Sequence, residues 1–206
     1  MNYFLKIVSL ILLKFFKYIS VAVLLVIIIY TLYALPATFS LPAGIRPGLE
    51  PMTIEEAVQD LQKTGRTGRE LIETARLLVG DRMSYCRRNS YNSYKKAFKR
   101  GYGFCQQQAF ALAHILQELS FEAHPVQALR TRFPDGSIGG HAWVMVIIED
   151  TMIYIDPVYY DAVEQQITFS PLSEVTGFST FFRTLAGWGS ATINAHQYYT
   201  SGTDNP

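Results

Sequence analysis

Three residues of this 206-residue chain have the types and the order that thiol-based acyl transfer needs: Cys105, His141 and Asp156, separated by 36 and 15 positions. A thiolate attacks a carbonyl, a neighbouring imidazole takes and returns the proton, and a carboxylate orients the ring and stabilises its charged form. Cys105 follows Gly101 and Gly103 and opens the run QQQAFALAHILQELSF. There Ala109, Leu112, Ala113, Leu116 and Leu119 recur at three- and four-residue steps, the signature of a helix with a broad buried face. A cysteine in the first turn of such a helix meets unpaired backbone N–H groups and the positive end of the dipole, which favour a thiolate. The same N–H groups can stabilise an oxyanion. His141 begins HAWVMVII directly after Gly139-Gly140, and Asp156 closes MIYID before Pro157. Two strands paired across a tight turn at 149–151 would bring both side chains to one rim of a sheet. On spacing alone, a His141 that caps a sheet edge and an Asp156 that starts a turn fit equally well.

The elements that must hold these groups are predicted as helices first and an antiparallel sheet after them, an α+β domain. Thr53 with Glu56 reads as a capping box for a helix to about Lys63, stopped by Gly65. Thr67 with Glu70 repeats the box, and Leu71, Ala75 and Leu78 form the stripe of a second helix reaching about Met83. Val126, Ala128 and Leu129 fit a strand, and FPDGSIGG at 133–140 is a hairpin loop with Asp135-Gly136 as its turn signal. Pro171 is expected to begin a helical turn over 170–175. Phe178, Phe181, Phe182, Leu185 and Trp188 read as core or cleft-wall aromatics and aliphatics.

Residues 101–119, GYGFCQQQAFALAHILQEL, resemble the nucleophile segment of the transglutaminase-like superfamily. GHAWV at 140–144 is similar to the histidine motif of that superfamily, IDP at 155–157 to its aspartate motif, and LLVGDRMSY at 77–85 to the helix that precedes its nucleophile. The likeness covers about residues 67–160. It implies a papain-like core with the nucleophile at the start of a helix packed on an antiparallel sheet. It also implies Cys105 as nucleophile, His141 as general base and then acid, Asp156 as orienting group, and no cofactor. Gln106-Gln107-Gln108 depart from the small residues usual after the nucleophile. The implied activity is cysteine peptidase or amidase chemistry on a peptide, protein or cell-wall amide. Amine transfer by a transglutaminase, or a noncatalytic domain that binds a peptide or glycan, are the alternatives. Tyr85 and Asn92 are candidates to complete an oxyanion hole beside the Cys105 N–H, and Trp143 is expected to pack beneath the imidazole.

Tyr18 to Ala37 contains no charged side chain, and twenty helical residues rise about 30 Å, the thickness of a bilayer core. Residues 1–37 therefore read as a membrane segment with one transmembrane helix at about 18–37, ending near Pro36. Three of the chain's 18 basic residues, Lys6, Lys14 and Lys17, lie in this segment and none of its 17 acidic ones, so the remainder carries a net charge of −2. That distribution predicts a cytoplasmic N-terminus and an exported domain. Leu35 and Ala37 also form a tolerable signal-peptide cleavage pattern, although the apolar run is longer than such peptides carry. Residues 38–52, rich in Pro and Gly, read as a linker, 53–200 as the folded domain and 201–206 as a frayed tail.

The acidic balance of the exported part gives no general drive toward nucleic acid. A local exception is the segment 87–100, which places Arg87, Arg88, Lys95, Lys96, Lys99 and Arg100 among tyrosines. It is either a solvated face or a contact for an acidic peptide, a cell-wall polymer or lipid headgroups. Two cysteines are too few for a disulfide scaffold, although Cys86 could pair with Cys105 under oxidising conditions. No cysteine–histidine cluster has metal-ligand spacing, so no metal is expected. A short one-span protein is also compatible with a membrane-protein partner.

Overall fold

The computed structural model describes residues 2–39, 45–87, 93–179, 181, 183–190 and 192. Helix α1 runs from Asn2 to Phe39 without interruption. Its stretch Leu12–Tyr33 has a mean hydropathy of 2.4 and is long and apolar enough to cross a membrane. Pro36 does not end the helix as expected, since a proline removes only one intrahelical hydrogen bond and its fixed φ is already helical. Ser20 Oγ donates to the Phe16 carbonyl at 2.9 Å and Thr31 Oγ1 to the Ile27 carbonyl at 2.8 Å, so both hydroxyls are satisfied inside the helix, as lipid requires.

Helix α2 (Ile54–Lys63) starts with the predicted capping box: Glu56 N–H donates to Thr53 Oγ1 and Thr53 N–H to Glu56 Oε2. Helix α3 (Gly68–Arg82) does not, because Thr67 makes no side-chain cap and Glu70 pairs instead with Arg66 at 3.0 Å. Strand β1 (Ser84–Tyr85) follows. The polar, basic stretch beyond it holds a helix that its periodicity does not announce, α4 (Tyr94–Arg100), capped by Ser93 and closed by Gly101 at φ 82°. Strand β2 (Tyr102–Gly103) pairs in parallel with β1, and helix α5 (Cys105–Glu118) begins two residues later.

The sheet is antiparallel and curled, in the order β5-β4-β3-β8, from strands β3 (Glu122–Arg132), β4 (Ile138–Ile148) and β5 (Thr151–Ile155). A small hairpin of β6 (Tyr160–Asp161) and β7 (Gln166–Ile167) precedes β8 (Ser170–Pro171) and β9 (Thr176–Gly177), both paired with β3. The stretch 170–175 is thus extended and not a helical turn: Leu172 N–H bonds the Arg130 carbonyl at 2.8 Å, and Pro171 sits on an edge where its missing N–H costs nothing. The β4–β5 turn is tight because Glu149 and Asp150 both adopt positive φ, 48° and 62°.

Helix α5 packs on β3 and β4, so the domain is an α+β fold with one buried helix against an antiparallel sheet. Alternation along β4 sends Ala142, Val144 and Val146 into the main core with Leu112, Ile115 and Leu116 of α5. His141 and Trp143 take the other face, where Trp143 forms a smaller cluster with Val126, Ala128 and Phe169. Helices α2 and α3 close the main core through Ile54, Leu61, Ile72 and Val79. Arg82 ties this packing together: buried itself, it donates to the carbonyls of Phe98 at 3.0 Å and Glu50 at 2.8 Å.

Candidate functional site

The first turn of α5 is set by three consecutive glutamines. Gln107 Oε1 accepts from Phe104 N–H at 3.3 Å, which caps the helix start. Gln108 Nε2 donates to the Met83 carbonyl at 2.6 Å and fixes that turn against the end of α3. Gln106 Nε2 reaches the Arg183 carbonyl at 3.5 Å. All three are buried, and their hydrogen bonds hold the first turn of the helix. Cys105 itself is half-exposed and is a free thiol. Its N–H and that of Gln106 lie ahead of the first intrahelical bond, Gln108 N–H to the Phe104 carbonyl.

His141 and Asp156 meet at the sheet rim. His141 Nε2 lies 2.8 Å from Asp156 Oδ2, with both side chains almost wholly buried. The paired register of β4 and β5 ends at Val144–Ile155, so Asp156 leaves the strand beside the end of β4 that carries the histidine. Its second oxygen accepts from the N–H groups of Val158 at 2.8 Å and Tyr159 at 2.6 Å. The turn is also held from behind. Arg76 Nη1 donates to the Pro157 carbonyl at 3.3 Å, and a Cβ at Gly80 would run into that carbonyl.

The imidazole sits in an aromatic box. Trp143 lies nearly parallel to it, with centroids 6.0 Å apart at 22°. Phe169, Phe133 and Tyr159 present their rings edge-on at 4.8, 5.2 and 5.6 Å. Burial opposes charge on His141. The hydrogen bonds and charges of Asp156 and Cys105 outweigh it and raise the pKa to about 9. Sequence reasoning missed Phe133, Tyr159 and Phe169: they flank turns and short strands, where no periodicity marks them.

Cys105 and His141 line a cleft of about 740 Å³ together with Tyr85, Gln106, Tyr159 and Phe178. Tyr85 stands beside Gly103 in the β1–β2 ladder, two positions before the cysteine. Its hydroxyl pKa is raised by burial first and then by the Cys105 charge, against the opposing pull of Arg87, whose Nε donates to the hydroxyl at 3.3 Å. Asn92, Arg88 and Phe182 lie outside the described residues. Of the expected wall residues, Phe178 packs edge-on against Phe110 and lines the cleft. Phe181 and Leu185 are exposed and lie outside the core. Trp188 packs on Tyr30 of α1. Cys86 is a buried free thiol. The basic segment is split: Lys95 pairs with Glu55 at 2.7 Å and Arg100 is buried against the Tyr102 carbonyl.

No protein-family model matches the chain. No curated protein matches it. Two solved structures are similar in part. One is a candidate cysteine protease from Cytophaga hutchinsonii, 14% identical over 66% of this chain and 57% of the other, with a TM-score of 0.41. The second is the periplasmic domain of TgpA from Pseudomonas aeruginosa bound to ethylmercury, 18% identical over 60% of this chain and 53% of the other, with a TM-score of 0.40. The chain thus spans little more than half the length of each.

Proposed function

We propose that this chain is a membrane-anchored thiol enzyme that cleaves an amide or peptide bond through Cys105, His141 and Asp156. The observation that carries the reading is the buried 2.8 Å contact between His141 Nε2 and Asp156 Oδ2, in a histidine that lines an open cleft together with Cys105. With Nε2 engaged by the carboxylate, the proton of Cys105 passes to Nδ1. The sulfur attacks the carbonyl carbon, and the N–H groups at the start of α5 receive the oxyanion, with Tyr85 or Asn92 completing the site. The intermediate collapses to a thioester as the imidazolium protonates the departing amine. Water, deprotonated by the neutral imidazole, then releases the acid and regenerates the thiol. Hydrolysis is the outcome we favour; a primary amine in place of water gives amine transfer by the same steps. The positive residues at the start of the chain set its N-terminus in the cytoplasm and the domain from 53 to 200 on the outer side.

The test is the rate at which iodoacetamide alkylates Cys105 in the full chain in detergent, followed across pH by mass spectrometry, with His141→Ala alongside. Fast labelling under mildly acidic conditions that slows at least about tenfold without His141 supports the pair. Labelling that needs alkaline solution and ignores His141 leaves only a binding or spacer role.

A further inference from the structure

We infer that Gln106 reads the substrate: its side-chain carbonyl receives the backbone N–H beside the attacked carbonyl, which makes the substrate a peptide and not an isolated amide. The inference rests on Cys105 being the nucleophile. Gln106 follows Cys105 directly, is only 5% exposed and lines the cleft. Its Nε2 points to the Arg183 carbonyl at 3.5 Å. That contact fixes the orientation of the carboxamide, because turning it over would set two carbonyl oxygens against each other. Oε1 is left buried with no hydrogen-bond donor among the described residues, so a bound N–H meets it only when the side chain turns outward toward the cleft. A buried acceptor without a donor is costly where an apolar side chain of the same shape is not. Gln107 and Gln108 use their side chains to hold the fold, so of the three only Gln106 keeps a buried acceptor to spare.

An N–H of a bound peptide chain would satisfy this acceptor and come and go with turnover. An extended peptide whose carbonyl carbon lies at Cys105 Sγ carries such an N–H within one residue of the reacting atom. Three exposed aliphatic residues line the same cleft, Leu129, Ile138 and Val158 at 70%, 51% and 51%, so the side chains flanking the attacked bond are apolar.

The test uses a leucine-based dipeptidyl acyloxymethyl ketone and the same compound N-methylated at the residue bearing the ketone. In both, Cys105 Sγ displaces the carboxylate to form a thioether. The second-order labelling rate is measured on the full chain in detergent for the wild type, Gln106→Met and Gln106→Glu, with methyl methanethiosulfonate, which has no N–H, as a measure of intrinsic thiol reactivity. N-methylation should slow the wild type about tenfold, the worth of one buried hydrogen bond. Gln106→Met should lose a similar factor toward the parent probe and discriminate between the two by no more than about twofold. Gln106→Glu keeps an acceptor but sets its second oxygen against the Arg183 carbonyl, so its discrimination should fall between those of the wild type and Gln106→Met. A Gln106→Met protein that keeps the wild-type ratio shows a residue that only anchors 183–190, and overturns the inference. So does a wild type indifferent to N-methylation, whatever the variants do. If methyl methanethiosulfonate modifies Cys105 and neither ketone does, the nucleophile reading fails, and the role of Gln106 with it.

Discussion

Asp156 divides its carboxylate between two jobs, with Oδ2 on His141 Nε2 and Oδ1 on the N–H groups of Val158 and Tyr159. The turn that follows β5 therefore fixes the carboxylate from the side away from the imidazole, and the histidine is in turn boxed by four aromatic rings. Rigidity on both sides makes the pair sensitive to changes that touch neither residue.

The first prediction concerns pH. His141 titrates at about 9 in the folded protein against 6.5 for a free histidine. A raised pKa means that the pair's contribution to stability is complete below 6.5 and is lost as pH rises through about 9. In the proposed mechanism the same protonation supplies the leaving amine, so kcat/KM for a peptide substrate should fall on the alkaline side with a midpoint near 9. In Asp156→Asn, burial is left to act with less opposition, and the midpoint should move below that value. A wild-type profile whose alkaline limb already sits at 6.5 would sink the assignment.

Gly80→Ala should act at a distance. The added methyl meets the Pro157 carbonyl, so the turn carrying Asp156 must retreat or α3 must shift. The expected cost is about 1–3 kcal/mol in urea unfolding, the usual range for overpacking. Cys105 alkylation should slow as well.

Phe169→Ala removes the ring nearest the imidazole from a cluster that is fully packed by Trp143. A loss of about 3–5 kcal/mol is expected by thermal or chemical unfolding. Phe169→Leu should recover most of it, because the loss is one of volume.

Arg82 is buried and serves carbonyls on two segments, at Phe98 and Glu50. Arg82→Met should destabilise by about 2–4 kcal/mol, since it strands those acceptors. Arg82→Lys should restore little, because a point charge cannot span what the fork does. Proteolysis near residues 45–52 reports the release of the segment.

Orientation in the membrane can be read by labelling. Glu164→Cys places a thiol on an exposed turn of the domain. A membrane-impermeant maleimide should reach it in intact cells without lysis. Labelling only after lysis would reverse the assigned topology.

Much of this architecture was legible because its signals are local. The Thr53–Glu56 box, the periodic face of α5 and the Asp135-Gly136 turn each lie within a few residues, and each formed as read. The Thr67 box failed because Glu70 had a competing partner in Arg66, which a four-residue motif does not reveal. The stretch at 170–175 was misread for a similar reason: Pro171 suits a helix start in isolation, but Arg130 offers its carbonyl across the sheet. The ordering of Cys105, His141 and Asp156 was visible, whereas the box around His141 was not. Phe133, Tyr159 and Phe169 come from three separate turns, and only the folded sheet brings them to one ring. Gly80 was hidden too, because its importance lies in what approaches it.

The short helix at 183–190 touches two things at once. Ala186, Gly189 and Ser190 border the cleft, and Trp188 rests against Tyr30 of the apolar helix. If the cleft acts as proposed, its target would be met along a surface, so encounter would depend on how densely that target is carried at the bilayer and dilution of the surrounding medium would matter little.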